Sequence, residues 1–282
     1  MTMYARSHER GISMIKLLAT DLDGTLLPTG TEVSMENIEA AHKAAEAGCV
    51  VTIATGRMYK AALPVARNLG IDVPIITYNG ALIRTVGGKT LHASYLSPEL
   101  IREFVDFMEE RNWYMQGYAG DELYFAEHDR FARRYEEMQQ VTGHAVGWQG
   151  LREQTAEVCK LLAISDTPEE TEYKLKALQE HFKGRASVVR SSAYYVEFVN
   201  PGVSKADGIR KLAEILGIDI SETMAIGDGE NDISMLKAVG VPVAMGNAVP
   251  EVKEICKYQT GVCEENGWAL AVNKYVLQGG GN

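Results

Sequence analysis

The sequence predicts an α/β fold, a doubly wound parallel sheet interrupted by an inserted α+β unit. Three observations carry this prediction. Short apolar or β-branched runs alternate with amphipathic stretches over the first ~95 residues, the signature of βαβ units. The alternation breaks after Ser97-Pro98, where aromatic alternating runs replace the continuous apolar ones, and returns after Asn200-Pro201-Gly202. A polar cluster also follows several of the predicted parallel strands, where open α/β sheets bind their ligands.

In chain order, Ile15-Lys16-Leu17-Leu18-Ala19 reads as the first strand and runs into Thr20-Asp21-Leu22-Asp23-Gly24-Thr25. Strand side chains alternate with period two, so Asp21 and Asp23 are expected to leave the strand on one side. Like charges this close raise one pKa strongly unless a cation neutralises them, so the pair implies a shared proton or a bound metal, against the plainer reading of an acidic turn. Ser34 is the expected N-cap of a helix that turns Ile38, Ala41 and Ala45 inward and stops near Gly48. Cys49 to Ala54 reads as a buried strand ending in Thr55-Gly56-Arg57. A helix from Met58 to Leu69 and a strand from Pro74 to Tyr78 follow, and Asn79-Gly80 turns the chain into a hairpin.

Beyond Ser97-Pro98 a helix carries Leu100, Ile101, Phe104, Val105 and Met108 on one face, and the runs 113–118 and 123–125 flank Ala119-Gly120-Asp121 as a hairpin. A polar helix over 129–141, a strand over 160–164, a helix opened by Thr167-Pro168-Glu169-Glu170 and strands over 187–190 and 194–199 complete the inserted unit. The aromatic pairs Trp113/Tyr114 and Tyr194/Tyr195 either line a pocket or cover a sheet. Alternation then resumes with a helix over 204–216, a strand over 223–226, Gly227-Asp228-Gly229-Glu230-Asn231-Asp232 opening a helix, and a strand over 241–244. The expected division is a flexible extension at 1–13, a core from 14–95 plus 200–282, and a cap at 96–199.

Composition narrows the function. The chain of 282 residues carries 38 acidic and 28 basic side chains, a formal charge of −10, with no basic stripe. Nucleic acid and anionic membrane surfaces are therefore excluded as main partners, and an anionic ligand must be held by local positive charge. No apolar run reaches the ~20 residues of a membrane span, and residues 1–13 lack the apolar stretch of a signal peptide, so a soluble cytoplasmic protein is expected. Cys49, Cys159, Cys256 and Cys263 form no CxxC pair and read as free thiols.

The polar clusters converge in this fold. Asp21/Asp23, Thr55-Gly56-Arg57, and Asp228 with Asn231/Asp232 each fall at a strand end, and Lys205 stands where the chain re-enters the core. Carboxylates without histidine or thiolate describe a Mg²⁺ site rather than a zinc site. Lys205 adds a point charge suited to phosphate.

These motifs resemble those of the haloacid dehalogenase superfamily, specifically its Cof-type phosphatases with a large cap inserted after the third core strand. Asp21-Leu22-Asp23-Gly24-Thr25 resembles the first family motif, Ala54 to Arg57 the second, Val203 to Lys205 the third, and Gly227 to Leu236 the fourth; Ala244-Met245-Gly246-Asn247-Ala248 resembles the subfamily's tail. Ala206 departs from a common glycine, and Gly267-Trp268 from a smaller residue. The resemblance implies a Rossmann-like core and a phosphatase acting through an aspartyl-phosphate. It implies Asp21 as nucleophile and Asp23 as acid and base. Mg²⁺ would lie on Asp21, the Asp23 carbonyl, Asp228 and Asp232. Thr55, Gly56 and Lys205 would hold the phosphoryl group, with Asn231 touching phosphate or orienting Asp232. Arg57 either pairs with a core carboxylate or does not. The expected substrate is a small phosphorylated metabolite, by resemblance a sugar phosphate; a phosphotransferase or mutase, and a catalytically silent metabolite-binding protein, are the alternatives. The motifs say nothing of oligomeric state.

Overall fold

The computed structural model describes residues 14–70 and 72–279. The expectations for 1–13 and 280–282 lie outside the described residues. The first part of the core runs β1 (Leu17–Thr20), α1 (Met35–Glu46), β2 (Val50–Ile53), α2 (Tyr59–Asn68), β3 (Ile75–Thr77), β4 (Leu82–Arg84) and β5 (Thr90–Ala93). The inserted unit runs α3 (Pro98–Glu110), β6 (Met115–Ala119), β7 (Glu122–Phe125), α4 (Arg130–Gln139), β8 (Gly143–Ala145), α5 (Gly147–Glu153), β9 (Leu161–Ile164), α6 (Pro168–His181), β10 (Ser187–Ser192) and β11 (Tyr195–Val199). The chain returns through α7 (Lys205–Leu216), β12 (Thr223–Gly227), α8 (Ile233–Ala238), β13 (Val241–Ala244), α9 (Pro250–Ile255), β14 (Tyr258–Gln259) and α10 (Gly267–Ala271).

The core sheet has the order β14-β13-β12-β1-β2, every pair parallel. β1 lies inside it, Thr20 opposite both Ile226 and Ile53, and all four of its residues are buried. That is why the run reads as continuously apolar: a parallel strand covered on both faces has no solvent side. A parallel bridge from Ala54 to Ile76 carries the sheet into the antiparallel β3-β4-β5 ribbon, and Tyr78–Gly80 form the expected hairpin turn. The inserted unit is a six-stranded sheet, β10-β11-β9-β6-β7-β8, antiparallel except for β7 with β8. Phe104, Phe182 and Phe198 fill its own apolar core, their ring centroids 4.6–5.9 Å apart.

The predicted caps are present. Ser34 accepts from the Asn37 amide at 3.3 Å and Thr167 from the Glu170 amide at 3.2 Å, interactions of about 1 kcal/mol each. The inward face of α1 differs from expectation. Ala41 is buried as predicted, but Ala45 is exposed and Ile38 only half-buried; the buried stripe is Asn37, Ala40, Ala41 and Ala44. The cause is Asn37, whose side-chain amide donates to the Leu26 carbonyl at 3.3 Å and accepts from the Ala269 amide at 3.1 Å. A satisfied buried polar residue thus occupies a position that pattern reading assigns to solvent. No helix among the described residues is long and apolar enough to cross a membrane.

Candidate active site

The site grows from the carboxyl ends of β1 and β12, neighbours in the sheet. The Asp21 amide still donates to the Ile226 carbonyl at 3.1 Å, so the Asp21 side chain is fixed by the ladder itself. The chain then reverses: the amides of Thr25, Leu26 and Leu27 all turn back to the Leu22 carbonyl. Gly24 makes this possible. Its φ is +80°, and a Cβ there would stand 2.4 Å from Asp228 Oδ2, so both conformation and space exclude a side chain. Thr25 holds Asp228 from below, donating to its Oδ1 at 2.7 Å.

Asp232 follows β12 in a short turn. Its Oδ2 accepts from the amides of Asp228 and Gly229 at 2.9 and 3.0 Å, which locks the turn and aims Oδ1 at Lys205. Lys205 is the first residue of α7, whose N-cap Ser204 accepts from the Asp207 amide. The helix start is seated against the β3–β4 turn, where Gly80, at φ +100°, leaves no room for a Cβ: the Ser204 carbonyl would be 2.1 Å away. From there Lys205 Nζ bridges Asp21 Oδ1 and Asp232 Oδ1, both at 2.6 Å.

Carboxylate oxygens of Asp21, Asp228 and Asp232 lie within 4.8 Å of one another. Burial, then Asp232, push the Asp21 carboxyl well above its usual range, with Lys205 pulling against them. The same two causes push Asp228 up to about 6, against its bond to Thr25. Burial would lower the Lys205 ammonium, but Asp21 and Asp232 outweigh it and the pKa rises. The two partners' shifts point to one cause: the lysine stays charged, yet three carboxylates around one ammonium leave an excess of two negative charges. An all-oxygen set with that excess fits a hard divalent cation.

The structure separates Asp21 from Asp23. The Asp21 side chain is 8% exposed and paired with Lys205, whereas that of Asp23 is 58% exposed and grips the fork of Arg57, Nε to Oδ2 at 3.0 Å. The open question about Arg57 is thereby answered: it pairs with Asp23 and also donates to the Gly30 carbonyl at 3.0 Å. The close carboxylate pair is divided between two different cations, Lys205 and Arg57.

A cleft of about 410 Å³ opens above. Asp21, Asp23, Thr55, Gly56, Asp228 and Asn231 form its core side, while Lys205 and Asp232 lie buried beneath, behind the first carboxylate. The inserted unit supplies the opposite wall, including Tyr135, Lys160, Tyr194, Tyr195 and Glu197. Of the two aromatic pairs, Tyr194/Tyr195 therefore face the cleft; Trp113/Tyr114 line a separate depression with Asn112 and Trp148. Sequence reasoning missed Lys160, Glu197 and Thr25. Glu197 carried a signal, an acid inside the apolar run of β11, and Thr25 lies within the first motif. It also missed Asn247, whose side chain donates to the Gly24 carbonyl at 2.8 Å and accepts from the Cys263 amide at 2.9 Å, pinning the Gly24 turn to the end of the chain.

A core with acidic side chains at the ends of neighbouring parallel strands, roofed by an inserted α+β unit, is the architecture of a phosphoryl-handling hydrolase. Residues 18–272 match the haloacid dehalogenase-like hydrolases, and the chain belongs to that family. It is similar to a 5-amino-6-(5-phospho-D-ribitylamino)uracil phosphatase of Bacillus subtilis, 30% identical over 289 residues, covering 93% of this chain and 98% of the relative. It is similar also to an HMP-PP phosphatase of Serratia proteamaculans, 32% identical over 265 residues, covering 91% and 93%. Among solved structures, a subclass IIB sugar phosphatase of the same superfamily superposes with a TM-score of 0.77 at 26% identity, covering 92% of this chain and 98% of that one. The protein is a phosphatase, a hydrolase of phosphoric monoesters.

Proposed function

We propose that the chain is a Mg²⁺-dependent phosphatase of small phosphorylated metabolites, sugar phosphates foremost, working through an aspartyl-phosphate on Asp21. The observation that carries this reading is the position of the Asp21 carboxylate: fixed at a strand end, paired through one oxygen with Lys205, and open to a cleft whose other wall can enclose a leaving group. The similarity to a sugar phosphatase supports the substrate class, and the similarity to the ribitylaminouracil and HMP-PP phosphatases keeps it within small phosphorylated metabolites.

Asp21, Asp228 and Asp232, with the Asp23 carbonyl, would hold Mg²⁺, whose chemistry is to neutralise phosphoryl charge as it develops. Lys205 aligns Asp21 and opposes the burial and neighbouring carboxylates that favour its protonated form, and a cation on the acidic cluster would complete its ionisation, leaving a carboxylate to attack phosphorus. Thr55, the Gly56 amide and Asn231 hold the non-bridging oxygens, and Lys205 adds positive charge from behind the carboxylate. Asp23 hands a proton to the departing alkoxide and then takes one from the water that attacks the acyl-phosphate, returning Asp21 and releasing phosphate. In the structure Asp23 is held by Arg57 as an acceptor, so this role requires it to leave that fork, take up a proton from solvent and turn to the substrate oxygen before it acts as the acid. The unit at 96–199 acts as a cap that closes over the reacting group and excludes other water.

The test is phosphate release from a panel of sugar phosphates, nucleotides and pyrimidine phosphates, with Mg²⁺ and with chelator, beside Asp21→Asn. Turnover is expected only with Mg²⁺ and only with Asp21 intact. Turnover undiminished by chelator, or retained by the variant, overturns the mechanism.

A further inference from the structure

The two units meet at a buried ionic contact that the reaction scheme does not use. Lys160, immediately before β9, and Glu197, in β11, are 2% and 4% exposed, with Nζ and Oε2 3.3 Å apart. Both belong to the inserted unit, and both reach across to the core. Lys160 Nζ donates to the Gly56 carbonyl at 2.6 Å, and the side-chain amide of Asn79, on the β3–β4 turn, donates to Glu197. A buried ion pair is costly unless further hydrogen bonds complete it, and here the completing bonds are the ones that join cap to core.

The place where Lys160 lands matters. The Gly56 carbonyl and the Arg57 amide belong to one planar peptide unit. That Arg57 amide donates to Thr55 Oγ1 at 3.1 Å. An ammonium on the carbonyl fixes the tilt of the unit and polarises it, strengthening the amide as a donor. With its oxygen accepting from Arg57, the Thr55 hydroxyl must direct its own hydrogen elsewhere, and Thr55 borders the cleft. The core side of this loop is already tied: the Thr55 amide donates to the Ile76 carbonyl, the Asn79 amide to the Thr55 carbonyl and the Tyr78 amide to the Arg57 carbonyl, each at 3.0 Å. The 56–57 peptide is thus held from the core on one side and by the inserted unit through Lys160 on the other.

We propose that Lys160, buttressed by Glu197 and Asn79, is a positioning residue that sets the Thr55 hydroxyl for the transferring phosphoryl group only when the inserted unit is seated on the core. This rests on the phosphatase reading above. It makes cap closure part of assembling the site, with the link running through one peptide plane and independent of the leaving group.

The experiment compares wild type, Lys160→Met, Lys160→Met with Glu197→Gln, Thr55→Val and Lys160→Met with Thr55→Val, using p-nitrophenyl phosphate and ribose 5-phosphate as substrates and inorganic phosphate as competitive inhibitor. The Lys160→Met/Glu197→Gln variant removes both charges together, so that no unpaired buried carboxylate obscures the result if the single variant folds poorly. The expected result is a fall in kcat of roughly 10- to 100-fold, the worth of a hydrogen bond to a charged group, by the same factor on both substrates. KM should change little, phosphate should inhibit more weakly, and the Lys160 effect should vanish in the Thr55→Val background. A loss confined to one substrate or seen mainly in KM, which would make Lys160 a leaving-group contact, overturns the proposal; so do multiplying losses in the double variant. If wild type turns over with Mg²⁺ and the Lys160 variants match it, the positioning role alone fails. If wild type hydrolyses neither substrate, the phosphatase reading fails and takes this role with it.

Discussion

Lys205 illustrates how one side chain can serve folding and chemistry together. It is almost wholly buried between two carboxylates, and removing it strands both in a low-dielectric interior. Breaking a buried pair from one side costs about 3–5 kcal/mol, so Lys205→Met should lower the unfolding free energy in chelator by that order in a urea titration. An unchanged midpoint would show that Asp21 and Asp232 do not depend on it. Asp228 gives a second handle. Burial and Asp232 push its carboxyl up to about 6 from the ordinary 3.8, so in this window the metal-free folded state binds a proton that the unfolded chain does not. The stability contributed by this group is fully present below the lower value and is lost as pH rises toward the upper one. In chelator, wild type should therefore lose stability relative to Asp228→Asn between about pH 4 and pH 6. Melting curves of the two proteins across that range check this, and parallel curves would contradict it.

At the scale of elements, the decisive feature is the turn after β1. Gly24→Ala places a methyl group against Asp228 and forces an L-residue into left-handed backbone, a conformation costing about 1–2 kcal/mol by itself. The expected outcome is modest destabilisation in urea together with weakened Mg²⁺ binding in a calorimetric titration; unchanged Mg²⁺ affinity would mean that the turn does not position Asp228. Most of this level was legible in the sequence. Continuous apolar runs marked the buried parallel strands, Ser34 and Thr167 marked helix starts, and the polar strand ends marked the site, because each is a short-range consequence of burial or capping. What stayed hidden depends on distant partners. Asn37 looks like a solvent-facing helix residue until Leu26 and Ala269 close around it, and the two-residue β14 has no periodicity to read. Lys160 could be seen only as the charged first residue of an expected strand, since Gly56, its partner, is 104 residues away.

Across the whole molecule, an acidic chain must bind an anion, and the geometry resolves this by concentrating charge locally. The formal charge of −10 is offset at the site by Lys205, Arg57 and Lys160, each placed against a specific carboxylate, while the cation proposed for the acidic cluster would supply the remainder. Core and cap are joined by polar contacts beyond Lys160: Lys60 with Glu122 at 2.7 Å, Arg190 with Glu230 at 2.6 Å, and Tyr78 donating to Asp121 at 2.6 Å. Glu230, in the polar run after β12, thus finds its partner on the inserted unit. The two ion pairs among these are exposed, so each contributes little and weakens with salt. In the proposed mechanism this arrangement presents one carboxylate, that of Asp21, to phosphorus. The most direct measurement is to quench wild type with acid during turnover of a phosphorylated substrate with Mg²⁺, reduce with borohydride and map the modified peptide by mass spectrometry. The expected result is modification at Asp21 alone, absent in Asp21→Asn; modification at another residue, or none during undiminished turnover, would contradict the account.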